Sequence, residues 1–125
     1  MTPTPYVYFA KVISVYDGDT LNLSIDLGMG ISYNAKCRLE GLDTPELRSK
    51  DASERQAAAT SKDSLLKLVE GKNLLVKSMT KPDKYGRLLV RIWTEDGNCV
   101  NETMISGGGA LPYDGGKKFS WASIT

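Results

Sequence analysis

Histidine is absent from this sequence, and cysteine is scarce. The 125 residues contain no histidine and only two cysteines, Cys37 and Cys99, which lie far apart and form no Cys-x-x-Cys motif. The lack of histidine excludes serine–histidine triads and histidine-ligated metal centres. The spacing of the cysteines indicates neither a zinc site nor redox chemistry, so we expect two buried thiols. Any acid–base catalysis would therefore have to use carboxylates, lysines or tyrosines.

Long apolar runs and a strong net charge are also missing. No apolar stretch approaches the roughly 20 residues of a membrane span. The first five residues, Met1-Thr2-Pro3-Thr4-Pro5, lack the basic start and apolar segment of a secretory signal. We therefore expect a cytoplasmic protein without membrane association. Because the net charge is only +1, affinity for a polyanion would depend on local clusters of basic residues.

Length and composition predict one soluble domain. Hydrophobic residues make up 41% and charged residues 25% of the chain, which is ordinary for a globular protein. We expect a single domain over residues 1–125, with a core at about 6–113 and an irregular tail at 114–125. We also expect a monomer.

Alternating apolar residues predict a β-rich first third. Residues 6–16 are rich in valine and aromatics and end at Asp17-Gly18, a hairpin signal. Two further alternating segments follow, separated by a glycine-rich turn. Their inward-facing residues are predicted to be Leu21, Leu23, Ile25 and Leu27, then Ile31, Tyr33, Ala35, Cys37 and Leu39. These patterns predict a three-stranded meander.

The remainder predicts two helices and two more strands. Ser53 and Gln56 have capping-box spacing at the start of a helix over residues 53–70, and Gly71 fits its end. Strands are predicted at 73–79 and 88–94, and a short helix at 100–106. The fold class is mainly β with α (α+β), and we expect a five-stranded OB-fold barrel with two helices. An open sheet packed by one helix fits the same order.

Three charged loops follow strand-like segments. They are Asp17-Gly18-Asp19-Thr20, the stretch from Arg38 to Glu46, and Asp83-Lys84-Tyr85-Gly86-Arg87. Phosphodiester hydrolysis needs a cation, a positioned hydroxide and donors for the charge of the transition state. The loops contain residues suited to each task, so convergence at one end of a barrel would build such a site.

Each candidate residue has a chemical reason for its role. Asp19, Asp43 and the Thr44 carbonyl are hard oxygen ligands suited to Ca²⁺ or Mg²⁺. Glu46 could accept a proton from the attacking water. Arg38 and Arg87 could offer planar, permanently charged forks to phosphate oxygens.

Structural alternatives exist for every one of these features. Asp17-Gly18-Asp19 is also a hairpin turn, and an EF-hand is excluded because its third acidic position and terminal glutamate are missing. Arg38 and Arg87 could belong to surface ion pairs. The basic residues around Tyr85 could form a solvated face.

Together the three loops resemble the signature blocks of the thermonuclease, or staphylococcal nuclease, family, and the resemblance covers about residues 12–113. It implies an OB-fold nuclease that uses Ca²⁺ to hydrolyse DNA and RNA and leaves 5′-hydroxyl and 3′-phosphate ends. It implies Asp19, Asp43 and Thr44 as metal ligands, and Arg38, Glu46 and Arg87 as catalytic residues. It further implies that Lys84 and Tyr85 lie beside the terminal phosphate and that Tyr113 packs on a base.

Some positions depart from the family pattern. The loop at 47–52 is shorter than in secreted bacterial members, Gly115 stands where a second tyrosine is expected, and the long third helix is missing. The absence of a signal sequence argues against an exported role, and we expect a compact cytoplasmic or virus-encoded nuclease. We predict a Ca²⁺-dependent nuclease acting on DNA, preferably single strands, with RNA as a second candidate substrate.

Two rival functions belong to other classes. One is a noncatalytic OB-fold module that binds single-stranded nucleic acid. The other is an interaction domain whose carboxylates bind calcium only for stability. The presence of Glu46 favours the enzyme, because a pure binder gains nothing from a carboxylate that faces phosphate.

Overall fold

The computed structural model describes residues 6–79 and 82–112 of the chain. The strands and helices are, in chain order, β1 (Val7–Asp17), β2 (Thr20–Gly28), β3 (Ile31–Leu39), β4 (Leu42–Asp43), α1 (Ala52–Val69), β5 (Leu74–Ser78), β6 (Leu88–Thr94), α2 (Val100–Ser106) and β7 (Leu111–Pro112). Neither helix in the described part of the chain has the length and apolar character of a membrane span.

The five long strands close into a barrel in the order β1-β2-β3-β6-β5. Neighbouring strands are antiparallel except β3 and β6, which run parallel and pair Arg38 with Leu89. The predicted fold class, a five-stranded barrel with two helices, is confirmed. The open-sheet alternative is therefore wrong.

The barrel interior is filled by the inward face of each strand. Leu21, Leu23 and Ile25 are buried as the alternation of β2 predicts, whereas Leu27 is exposed near the end of that strand. In β3 the predicted face is buried only from Ala35 onward, because Ile31 and Tyr33 are exposed. Helix α1 adds Leu65 and Val69 to the same core.

Helix α1 begins one residue earlier than predicted, and its cap is a different residue. Asp51 is the N-cap, and its carboxylate accepts the Ser53 backbone N–H at 2.9 Å. The predicted Ser53–Gln56 capping box is therefore wrong, because an aspartate two residues upstream already binds the exposed amide. Gly71 has φ +70°, which fits the predicted glycine at the helix end.

A second, two-stranded sheet formed by β4 and β7 was not predicted. It pairs Leu42 with Pro112 and Asp43 with Leu111. The turn before β4 is anchored by Asn101 of α2, whose Nδ2 donates to the Glu40 and Val90 carbonyls at 2.9 and 3.0 Å. The turn between Arg38 and Asp43 is therefore fixed by α2 and by the pairing of β4 with β7.

Candidate active site

The three charged loops meet at a cleft of about 430 Å³ at one end of the barrel. Its lining includes Asp17, Asp19, Thr20, Arg38, Asp43, Thr44, Glu46 and Arg87. Lys84 and Tyr85 are exposed on the loop before Arg87 and are not part of this lining. Tyr113 lies outside the described residues. Six of the nine site residues predicted from sequence thus surround one cavity.

Strand register explains why these residues meet. Thr20 pairs with Arg38 across β2 and β3, which brings Asp19 beside the end of β3. The Leu39 backbone N–H then donates to the Asp19 carbonyl at 2.8 Å. Leu88, the first residue of β6, pairs with Cys37 near the end of the parallel strand β3, so Arg87 lies beside that end of the sheet. The register of the β3–β6 pair therefore brings Arg87 to the cleft.

Arg38 lies between the two aspartates predicted as metal ligands. Its Nη1 is 3.3 Å from Asp19 Oδ2, and its Nη2 is 3.6 Å from Asp43 Oδ1. The same Nη1 donates to the Leu42 carbonyl at 3.3 Å. The guanidinium is largely buried, so these contacts define its direction. Two carboxylates and one permanent cation therefore form the floor of the cleft.

The two aspartates are themselves buried. Asp43 is 4% and Asp19 8% exposed, and the Thr20 hydroxyl donates to Asp19 Oδ1 at 3.0 Å. Among the described residues no three His, Cys, Asp or Glu side chains group closely enough to hold a metal ion. A cation here would have two carboxylates and the neighbouring Thr44 carbonyl. This small oxygen donor set suits a hard cation that keeps several water ligands.

Asp17 is a third aspartate of the cleft, although from sequence it was expected only to form the turn. Its Oδ1 accepts the Asp19 backbone N–H at 3.1 Å. Burial, followed by the hydrogen bond and charge repulsion of the Asp19 carboxylate, raises the pKa of Asp17 to about 7. The Asp17-Gly18-Asp19 sequence was the available signal, since a tight turn keeps its two carboxylates close together.

Glu46 lies on a loop that is attached to the first turn of α1. The backbone N–H of Glu46 donates to Glu54 Oε2 at 3.0 Å, and the Ser49 hydroxyl donates to Glu54 Oε1 at 3.1 Å. Arg55 Nη1 also donates to the Ser49 carbonyl, at 2.8 Å. Glu54 and Arg55 were not predicted as site residues, because no sequence motif identifies them as partners of a loop that begins eight residues upstream.

Arg87 is held by its own loop. Its Nε lies 2.9 Å from Asp83 Oδ2, and its backbone N–H donates to Asp83 Oδ1. That backbone hydrogen bond is the largest cause that lowers the pKa of Asp83 below its usual value. The guanidinium also lies 5.3 Å from the centroid of the Tyr85 ring. The surface ion pair proposed as an alternative is therefore present, although Arg87 still lines the cleft.

Comparison with known proteins shows the family of this chain. Residues 36–120, more than half of the chain, match the family described as staphylococcal nuclease homologue. The chain belongs to that family. Relatives from Escherichia coli O157:H7 and from Escherichia coli, each named as an uncharacterized endonuclease, are 31% identical over 104 residues. The match covers 83% of this chain and 60% of each relative.

Gly18 packs closely against the Thr44 loop and α1. A Cβ at Gly18 would lie 2.8 Å from Ser61 Cβ and 2.9 Å from Thr44 Cγ2. The Ser61 hydroxyl in turn donates to the Gly109 carbonyl at 2.6 Å. The β1–β2 hairpin, the Thr44 loop and α1 therefore meet where only glycine fits, and this contact positions Asp19 relative to Asp43.

Proposed function

We propose that this protein is a nuclease that hydrolyses phosphodiester bonds of DNA, with RNA as a second substrate. The observation that carries the proposal is Arg38 lying between Asp19 and Asp43 in a cleft that Glu46 and Arg87 also line. Membership of the family, and the name endonuclease that both relatives carry, support the same activity.

Ca²⁺ is the cation that we propose for the site. The Asp19 and Asp43 carboxylates and the Thr44 carbonyl would hold it, and the hard, irregular oxygen set favours Ca²⁺ over Mg²⁺, which demands a tighter octahedron. When bound, Ca²⁺ would supply positive charge beside a nonbridging phosphate oxygen. Buried carboxylates around a single guanidinium support this assignment, because they concentrate negative charge where a divalent ion would lie.

Glu46 is the proposed proton acceptor. It is exposed at the mouth of the cleft, whereas Asp19 and Asp43 are buried against Arg38. A carboxylate in that position can orient a water molecule and take its proton as the oxygen attacks phosphorus. The hydrogen bond from its own backbone to Glu54 restricts where the side chain can reach.

The two arginines are the proposed phosphate donors. Arg38 and Arg87 would donate to nonbridging oxygens, whose negative charge increases in the transition state. A phosphate that binds Arg87 must compete with Asp83, so the Arg87 fork would turn toward substrate only when substrate is present. Lys84 and Tyr85, exposed on the same loop, would contact a terminal phosphate, and Tyr113 would pack on a base.

Single strands are the preferred substrate in this proposal. A cleft of about 430 Å³ is within the size range of small-molecule sites and suits about one nucleotide. A duplex would have to separate before its phosphate could reach buried aspartates. We therefore expect slower cleavage of duplex DNA than of single strands.

The test is cleavage of single-stranded DNA by purified protein, first with Ca²⁺ and then with chelator. We expect cleavage that stops in chelator and that Asp43→Asn abolishes. Undiminished cleavage in chelator would overturn the calcium assignment. Binding of DNA without cleavage in any condition would favour the noncatalytic OB-fold module instead.

A further inference from the structure

Two residues with no role so far also line the cleft, Tyr16 of β1 and Lys36 of β3. Tyr16 is 47% exposed, and Lys36 is exposed. The Lys36 ammonium lies 5.6 Å from the centroid of the Tyr16 ring. An exposed aromatic ring beside a cation, on the wall of a cleft, is the combination that holds one base and one phosphate of a single strand.

A register shift places Tyr16 at this position. Val15 pairs with Leu21 and Asp17 with Thr20, so β1 advances two residues while β2 advances one. Tyr16 is the additional residue, as in a β-bulge, and bulges beside active sites redirect a side chain. Here the redirected ring reaches the wall of the cleft immediately before Asp17.

Strand period places Lys36 next to Arg38. Ala35, Cys37 and Leu39 are buried in the barrel, so Lys36 and Arg38 share the outward face of β3. Two residues along a strand span about 7 Å. Lys36 can therefore meet a phosphate adjacent to the one that Arg38 faces.

A similar pair lies on the loop that precedes Arg87. Lys84 Nζ is 5.1 Å from the centroid of the Tyr85 ring, and both precede the cleft-lining Arg87. The Tyr16–Lys36 pair belongs to different strands, β1 and β3, beside Asp17 and Arg38. Nucleotides on both sides of the scissile phosphate would then have an aromatic ring and a cation each.

We propose that Tyr16 and Lys36 form a nucleotide subsite, in which Tyr16 stacks a base of a single strand and Lys36 binds the neighbouring phosphate. The proposal rests on the proposed nuclease function and deepens it. It implies that the protein prefers a strand which continues past the cleft to a substrate that ends there.

The test is binding of a fluorescent eight-residue thymidine oligonucleotide by the full chain in chelator, measured by anisotropy over a range of salt. Tyr16→Ala should weaken binding about 10-fold at fixed salt, since base stacking accounts for effects of that order. Tyr16→Phe, which keeps the ring, should restore it. Lys36→Gln should weaken binding and reduce the slope of log affinity against log salt by about one, because one phosphate contact is lost.

Matched controls exist on the same strands. Tyr33 of β3 is 48% exposed and Lys11 of β1 is exposed, and neither lines the cleft. Tyr33→Ala and Lys11→Gln should leave affinity within about twofold. Equal affinities for Tyr16→Ala and Tyr33→Ala, or an unchanged salt slope for Lys36→Gln, would overturn the subsite. Failure of the parent chain to bind the oligonucleotide would overturn it as well.

Cleavage of the same oligonucleotide with Ca²⁺ separates the two proposals. Tyr16-dependent binding without any cleavage would leave the subsite standing and contradict the nuclease. Cleavage with no difference between the Tyr16 and Tyr33 variants would do the opposite. If Tyr16→Ala does not fold, as judged by its thermal unfolding, the salt slope of Lys36→Gln decides.

Discussion

Glu46 and Asp43 are both carboxylates of the cleft, and their surroundings suit different tasks. Asp43 is buried with Arg38 3.6 Å from its Oδ1, whereas Glu46 is exposed on a loop. Asp43 lies against the Arg38 guanidinium, which suits a group that holds charge in place. Glu46 lies where water can reach it. The difference in burial is why we assign the base to Glu46.

Glu46→Gln tests that assignment. The amide keeps the shape and hydrogen bonding of the side chain but cannot accept a proton, so kcat should fall about 10²- to 10⁴-fold. Affinity for DNA and Ca²⁺ should change little. Single-turnover cleavage beside DNA binding measures both, and Glu70→Gln, an exposed position at the far end of α1, is the control. Parental cleavage by Glu46→Gln would remove Glu46 from the mechanism.

Arg87→Lys separates catalysis from binding. Lysine keeps the charge but loses the planar fork that can donate to two phosphate oxygens. If Arg87 meets phosphate mainly as charge develops, kcat should fall by about 10²-fold with little change in DNA affinity. We expect Arg87 to contribute little to substrate binding in the ground state, because the substrate must displace the Asp83 carboxylate, which lies 2.9 Å from Arg87 Nε. Weaker affinity with unchanged cleavage would instead support a binding module.

At the scale of elements, α1 positions the Glu46 loop through Glu54. The Glu54 carboxylate accepts from the Glu46 backbone and the Ser49 hydroxyl, so it fixes both the start and the middle of that loop. A catalytic group that moves by about 1 Å can lose on the order of 10²-fold in rate. In the proposed mechanism the helix therefore positions the base, although it contributes no residue to the chemistry.

Glu54→Ala should lower kcat about 10- to 100-fold while KM changes little, because the loop loses two hydrogen bonds and Glu46 loses its position. Asp63→Ala, an exposed position on the same helix, should leave kcat unchanged. Steady-state cleavage of single-stranded DNA measures both constants. Glu54→Gln, which keeps one acceptor oxygen, should recover part of the rate, and equal losses in Glu54→Gln and Glu54→Ala would argue against positioning by these hydrogen bonds.

Elements with a repeating pattern were predictable, and elements made by single contacts were not. Strand β2 alternates over nine residues, so its inward residues Leu21 and Leu23 could be identified from sequence. Strand β4 has only two residues, too few for a period, and exists because it pairs with β7. The bulge at Tyr16 depends on how two strands align, which no local pattern records.

The site, like the fold, was only partly predictable from sequence. Asp19, Arg38 and Asp43 could be selected from sequence because carboxylates and arginines suit the proposed chemistry, and the structure brings all three to one cleft. Their arrangement was not, since it depends on the parallel pairing of β3 with β6 and on the close approach at Gly18. The raised pKa of Asp17 likewise arises from burial and from Asp19, and both are properties of the folded chain.

For the whole molecule, the cleft is where the loops of three barrel strands and one helix converge. Asn101 joins α2 to β6 and to the turn at Glu40, and Arg91 adds an ion pair to Glu40 at 2.8 Å. These contacts lie behind the turn that separates Arg38 from Asp43. The site is therefore supported by the rest of the fold, and binding at the site should in turn stabilise the fold.

Calcium should therefore raise the stability of the folded chain. A ligand that binds only the folded state stabilises it by about 2.7 kcal/mol when its concentration is 100 times its Kd. We expect a rise in Tm as Ca²⁺ is added in place of chelator, and a smaller rise with Mg²⁺. Asp19→Asn and Asp43→Asn should each abolish the rise, because each removes one of the two proposed carboxylate ligands. Asp63→Asn, exposed on α1, should keep it. The same calcium-dependent rise in Asp43→Asn as in the parent chain would place the cation elsewhere.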